Sequence, residues 1–146
     1  MMRETCVWAL GNLAADNPDY KHALLHLNGM QLILDALDRS SGQQTLSSLH
    51  AYMFRTLLNE VMWVMSILLG HPARIDLAVY PQQVRQLYLV LKDLLNNHVL
   101  LDIDGSLLDA LKCLFLLSSG PDHLQQALLE SGLVPTIVSI SQQLQS

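Results

Sequence analysis

The order in which helix and stop signals recur constrains this chain more than any single residue does. Three long apolar patterns end near Asp16, Gly70 and Gly120, and each precedes a short helical stretch, a break and a longer one. Asn17-Pro18-Asp19 joins a cap to a proline suited to a helix's first position, and Asn28-Gly29 ends the short helix that follows. Gly70-His71-Pro72 and Gly120-Pro121 stop the second and third long patterns. Nothing alternates at period two and β-branched residues are sparse, so strands are not expected.

The helices read as follows. A short one runs from Pro18 through Leu27, Met30 to Leu37 makes a second, and Asp38 to Gln44 is a polar loop. Thr45 to Leu69 is one long helical pattern without glycine or proline. Ala73 to Val79 is short, and Pro81 opens a helix with Val84, Leu87, Leu91 and Leu94-Leu95 on one face. Leu107 to Leu117, Asp122 to Glu130 and Leu133 to Leu144 complete the series. A three-helix unit recurring every ~40–50 residues predicts an all-α, right-handed armadillo-type solenoid of about three repeats, the terminal ones incomplete. The divisions are a third helix at 2–16, repeats at 18–70 and 72–119, and a partial repeat at 121–146. Such repeats bury their faces only against neighbours. Exposed end faces would account for a composition that is 51% hydrophobic and only 14% charged, and they would let two copies pair as a homodimer.

Several functions are disfavoured. The longest apolar run, Val61 to Leu69, is short and interrupted by Ser66, so no membrane partner is expected. Arg3 and Glu4 break any signal-peptide pattern, and Cys6 and Cys113 lie inside helical patterns, which favours a reducing compartment. A net charge of -5 argues against nucleic acid and permits a basic partner. No phosphate loop, nucleophile elbow or paired catalytic carboxylates suggest an enzyme or a cofactor. His22 and His26 stand at i, i+4 but lack a third ligand, so they read as helix surface and no metal is expected. Cys113 and the methionines read as core, and Asp102 with Asp104 as the cap of the following helix.

One helix carries two stripes. Cys6, Leu10 and Leu13, with Val7 and Ala14, are spaced as a core face. Trp8, Asn12 and Asp16 stand at i, i+4 and i+8 and form a second row. The tryptophan offers a flat wall for an aliphatic stem or a cation, the amide can bond an extended backbone both ways, and the carboxylate can take an ammonium. Taken alone, Trp8 could equally be a packing residue and Asn12 a solvated amide.

The run Val7-Trp8-Ala9-Leu10-Gly11-Asn12-Leu13-Ala14-Ala15-Asp16, followed by Asp19-Tyr20, resembles the importin-α family of nuclear-import adaptors. Weaker matches follow at Gly29-Met30, at Met62-Trp63-Val64-Met65-Ser66, and from Asp109-Ala110 through Gly120-Pro121. The resemblance implies a concave groove in which Trp8 and Trp63 stack basic side chains, Asn12 holds the peptide backbone and Asp16 meets a lysine. It also implies a basic nuclear-localisation peptide as partner and a place in cytoplasm and nucleus. The family's arginine-rich importin-β-binding segment does not occur here, so any partnership with importin-β would run through a segment outside these residues. Other positions depart from the pattern: Ile67 follows Trp63 where an amide is expected, and Lys112 and Leu116 replace the next Trp and Asn. The stretch before Trp63 is longer than the family's by roughly three turns of 3.6 residues each, and the spacing of Leu46, Leu49, Met53, Leu57 and Val61 predicts added helix there. The second reading is an armadillo scaffold re-purposed for a different protein partner, with a degenerate groove.

Overall fold

The computed structural model describes residues 2–41, 48–70, 76–101 and 104–145, with side chains at 5–37, 55–70, 76–96, 107–143 and 145. The fold is all-α and of armadillo type, with eight α-helices and no strand among the described residues. The chain divides into two compact units, Met1–Ile75 and Asp76–Ser146.

The first unit holds α1 (Met2–Asp16), α2 (Pro18–His26), α3 (Gly29–Ser41) and α4 (Ser48–Leu69). Helix α4 is its centre and packs against both α1 and α3. Its Leu57, Leu58, Val61, Met62, Val64, Met65, Leu68 and Leu69 are all buried, and α3 adds Met30, Ile33, Leu34 and Leu37. The entry to α2 is fixed by Asn17, whose Oδ1 accepts from the Asp19 amide at 2.8 Å, with Pro18 in the first position. Asn28 adopts a left-handed φ of 62° and turns the chain into α3. Lys21 of α2 is buried, and its Nζ donates to the Gly70 carbonyl just beyond α4 at 2.6 Å. A cation there satisfies a carbonyl that the helix end would otherwise leave open, while burial pulls the Lys21 pKa below its usual range.

The second unit begins with a 3-10 turn, Leu77–Val79, capped by Asp76, whose Oδ1 accepts from the Ala78 amide at 3.1 Å. It continues with α5 (Pro81–Leu101), α6 (Asp104–Ser118), α7 (Asp122–Glu130) and α8 (Leu133–Gln145). Helix α5 packs on α6 and α8, and α7 joins those two. Tyr88 is buried in this core and donates to the Leu124 carbonyl at 2.9 Å; burial pushes its phenol up to about 12. Cys113 is fully buried, and its thiol is likewise pushed up to about 12 by burial and then by Asp109. The α7–α8 pair repeats the α2–α3 pair at one constant offset: buried Leu25, Met30 and Leu37 correspond to Leu128, Leu133 and Ile140. Gly29 corresponds to Gly132 in the same register. The repeat is therefore visible in which positions are buried, not only in helix order.

Several expectations need correction. The polar stretch from Asp38 does not open a loop at once, because α3 continues through Ser41. Nothing at 38–41 lacks a backbone donor or demands a left-handed φ, so polarity alone does not stop the helix. Of the helix expected at Ala73–Val79, only Leu77–Val79 is described, as a 3-10 turn. Helix α6 starts at Asp104 and takes Gly105 into its first turn, while Asp102 lies outside the described residues. The lengthened stretch before Trp63 is helical from Ser48, as an extension of α4; Leu46 lies outside the described residues.

The core face of α1 also differs. Val7, Gly11 and Ala14 are buried, Leu10 is half-buried, and Cys6 and Leu13 are exposed, Leu13 by 53%. The small residues let α4 approach closely, and that approach, more than side-chain size, selects the buried side.

A tryptophan-lined face on the first unit

The stripe Trp8-Asn12-Asp16 stays open. Trp8 is 53% exposed, and Asn12 and Asp16 are exposed one and two turns further on. Its position follows from α1: burying Val7, Gly11 and Ala14 turns the i, i+4, i+8 row toward solvent. Helix α4 then brings Trp63 to the flank of this row. A Cβ on Gly11 would stand 2.5 Å from Trp63 Cζ3, 3.0 Å from Trp63 Cε3 and 2.7 Å from Val64 Cγ2. The indole of Trp63 therefore lies directly on the Gly11 backbone, between Trp8 one turn before and Asn12 one residue after. Trp63 is half-buried, so its ring contributes both to the α1–α4 seam and to the open surface. Within α4, Ser66 Oγ donates to the Trp63 carbonyl at 2.6 Å.

Gly11 is thus a packing requirement. Gly11→Ala places a methyl inside contact distance of an aromatic ring and a branched side chain, neither of which can fold away. The expected result is a loss of about 1–2 kcal/mol, despite alanine's better helix propensity. Urea unfolding measures it; a gain in stability would mean that Trp63 does not sit on Gly11.

The row Glu60, Trp63, Val64 and Ile67 follows the i, i+3, i+4, i+7 spacing of one helix edge, and Trp63 with Val64 shows that this edge faces α1. Glu60 and Ile67 lie one turn to either side, both half-buried. Burial pushes the Glu60 carboxyl above its usual range. Glu60 is not conspicuous in the sequence, since an acid in an otherwise apolar helix passes for a solubilising residue. The available signal was its i, i+3 relation to Trp63.

In the second unit, α6 has a different chemistry at the corresponding positions. Lys112 is exposed and lies 3.9 Å from Asp109, and Leu116 is half-buried. Burial pushes the Asp109 carboxyl up while the Lys112 charge pulls against it. Leu108 and Phe115, on the same helix, are 60% and 69% exposed. His22 and His26 are both exposed, and no group of three or more potential metal ligands occurs among the described residues. No helix among the described residues is long and apolar enough to cross a membrane.

Two curated proteins align with nearly the whole chain. Over 141 residues it is 29% identical to the probable importin subunit alpha-A of Dictyostelium discoideum, covering 95% of this chain and 24% of that protein. Over 139 residues it is 27% identical to importin subunit alpha-1b of Oryza sativa subsp. japonica, covering 95% of this chain and 22% of that one. The chain is a divergent relative of the importin alpha subunits. The likeness to importin alpha extends across both units, while the chain spans about a quarter of the length of these relatives. No family model matches the chain. No solved structure matches it either.

Proposed function

We propose that the chain is an importin-alpha-like adaptor segment that binds basic nuclear-localisation peptides, in extended form, on the α1–α4 face of its first unit. The observation that carries this reading is Trp63 seated on Gly11, beside an exposed row of Trp8, Asn12 and Asp16. Trp8 and the open part of Trp63 supply walls for the aliphatic stems and charged heads of lysine or arginine. Asn12 bonds the peptide backbone, and Asp16 takes an ammonium at the end of α1, where the helix's own carbonyls also favour a cation. In this reading α1 is the third helix of one repeat, 18–70 and 72–119 are full repeats, and 121–146 opens another. The role is that of a non-enzymatic carrier acting in cytoplasm and nucleus.

A second reading has its own support. Ile67 cannot hold a peptide backbone, and α6 presents Lys112 between exposed Leu108 and Phe115. These features suit an armadillo scaffold that has turned to a different protein partner. Fluorescence anisotropy with a labelled basic nuclear-localisation peptide separates the two. The first reading expects saturable binding that weakens as salt rises and disappears when the peptide's lysines become alanine. Equal affinity for both peptides, or none for either, favours the second.

A further inference from the structure

Helices α1 and α4 are two versions of one element. Laid together with Trp8 over Trp63, Val7 and Ala14 fall on Met62 and Leu69, and all four are buried. The same register sets Cys6, Leu10 and Leu13 on Val61, Met65 and Leu68, each of them 0% exposed. On α1 these positions are open: Cys6 and Leu13 are exposed and Leu10 is half-buried. At about 100° per residue, Val61, Met65 and Leu68 lie round the helix from the Trp63–Val64 edge that meets α1. The other close partner of α4 is α3. Helix α1 thus repeats the face that α4 turns to α3, with no helix of the α3 kind against it among the described residues.

The other half of that pairing is left over on α8. In the register that sets Gly29 on Gly132, Val134, Ile137 and Val138 fall on Gln31, Leu34 and Asp35. Leu34 is fully buried and Gln31 and Asp35 are half-buried. Their counterparts are more open or more apolar: Val134 and Val138 are exposed, and Ile137 is half-buried. Where α3 carries a hydrogen-bonded Gln31–Asp35 pair at 2.8 Å, α8 shows solvent two valines one turn apart. No charged residue occurs anywhere along α8, so covering this row would bury no charge of its own.

We infer that α8 of one copy of this chain docks on α1 of a second copy, re-forming between molecules the α3–α4 pairing of the first unit. The occupant is a second copy because one chain carries both halves of a single interface, an α3-like helix and an α4-like helix, each without the other. The contact is heterologous, joining unlike surfaces. A pair of copies still has one open α1 and one open α8, so assembly continues past the dimer. Cys6, Leu10 and Leu13 lie about a third of a turn round α1 from the Trp8, Asn12 and Asp16 row, which therefore stays open in the assembly.

Sedimentation velocity of the whole chain over a rising concentration series tests this, with reductant present to exclude disulfides through exposed Cys6. The average mass should climb beyond that of a dimer. Leu13→Glu closes α1 and Val138→Glu closes α8, and both residues are exposed, so each variant should melt close to the parent chain. Cys6→Lys is a second way to close α1. Each variant alone should associate about tenfold more weakly than the parent, or worse. An equimolar mixture of Leu13→Glu and Val138→Glu should recover the parent's affinity and stop at a one-to-one dimer, because one variant offers only α8 and the other only α1. A parent chain that stays monomeric at every concentration would overturn the inference. So would a mixture no larger than its separate components, or a Val138→Glu chain that assembles as the parent does, which would mean that α1 pairs with α1.

Discussion

On the proposed reading, Asp16→Lys is expected to reduce the affinity for a basic peptide roughly tenfold to thirtyfold, or ~1.4–2 kcal/mol, at moderate salt. The substitution replaces an attractive carboxylate with a like charge facing the ligand's ammonium. It also places a cation at the end of α1, where it suits the helix dipole, so folding should not suffer. Asp16 is exposed in the free chain. Its contact is therefore screened, and a larger effect would require the peptide itself to exclude water from the pair. Anisotropy titrations at two salt concentrations check this. The difference between parent and variant should shrink at the higher salt, and a loss that is indifferent to salt would point to misfolding instead.

Trp63→Ala should cost the first unit about 2–3 kcal/mol, somewhat less than a fully buried tryptophan because part of the ring already meets solvent. The lost area lies on the α1–α4 seam, so the variant should loosen the packing on which the Trp8 row depends. A double-mutant cycle sharpens the expectation. Once Trp63 is Ala, the added methyl of Gly11→Ala no longer meets the indole but still meets Val64 Cγ2 at 2.7 Å, so the second substitution should cost less than it does in the parent chain without becoming neutral. Urea unfolding of the four chains measures this. Simple additivity would mean that Gly11 and Trp63 do not touch.

The fold was largely legible from the sequence because its signals are local. Asn17-Pro18, Asn28-Gly29 and Gly120-Pro121 act on the backbone at the point where they occur, and the structure turns at each of them. The spacing of Leu57 and Val61 announced the extension of α4 for the same reason. The buried side of α1 was less legible. Cys6, Leu10 and Leu13 have the spacing of a core face, but a helix edge is buried by what comes to cover it. Gly11 and Ala14 accept α4 more closely than those larger residues could. The half-buried state of Glu60 was hidden by the same limit, since it depends on what packs around α4. The Trp8-Asn12-Asp16 row was readable because one helix defines it entirely.

The chain contains only two tryptophans, Trp8 and Trp63, and both flank the proposed peptide-binding surface. Their indole N–H resonances therefore report on that surface directly. In a titration of isotope-labelled chain with a basic nuclear-localisation peptide, both indole signals should move, and both curves should fit one dissociation constant. Saturating binding that leaves both indole signals unmoved, or moves Trp8 alone, would contradict it.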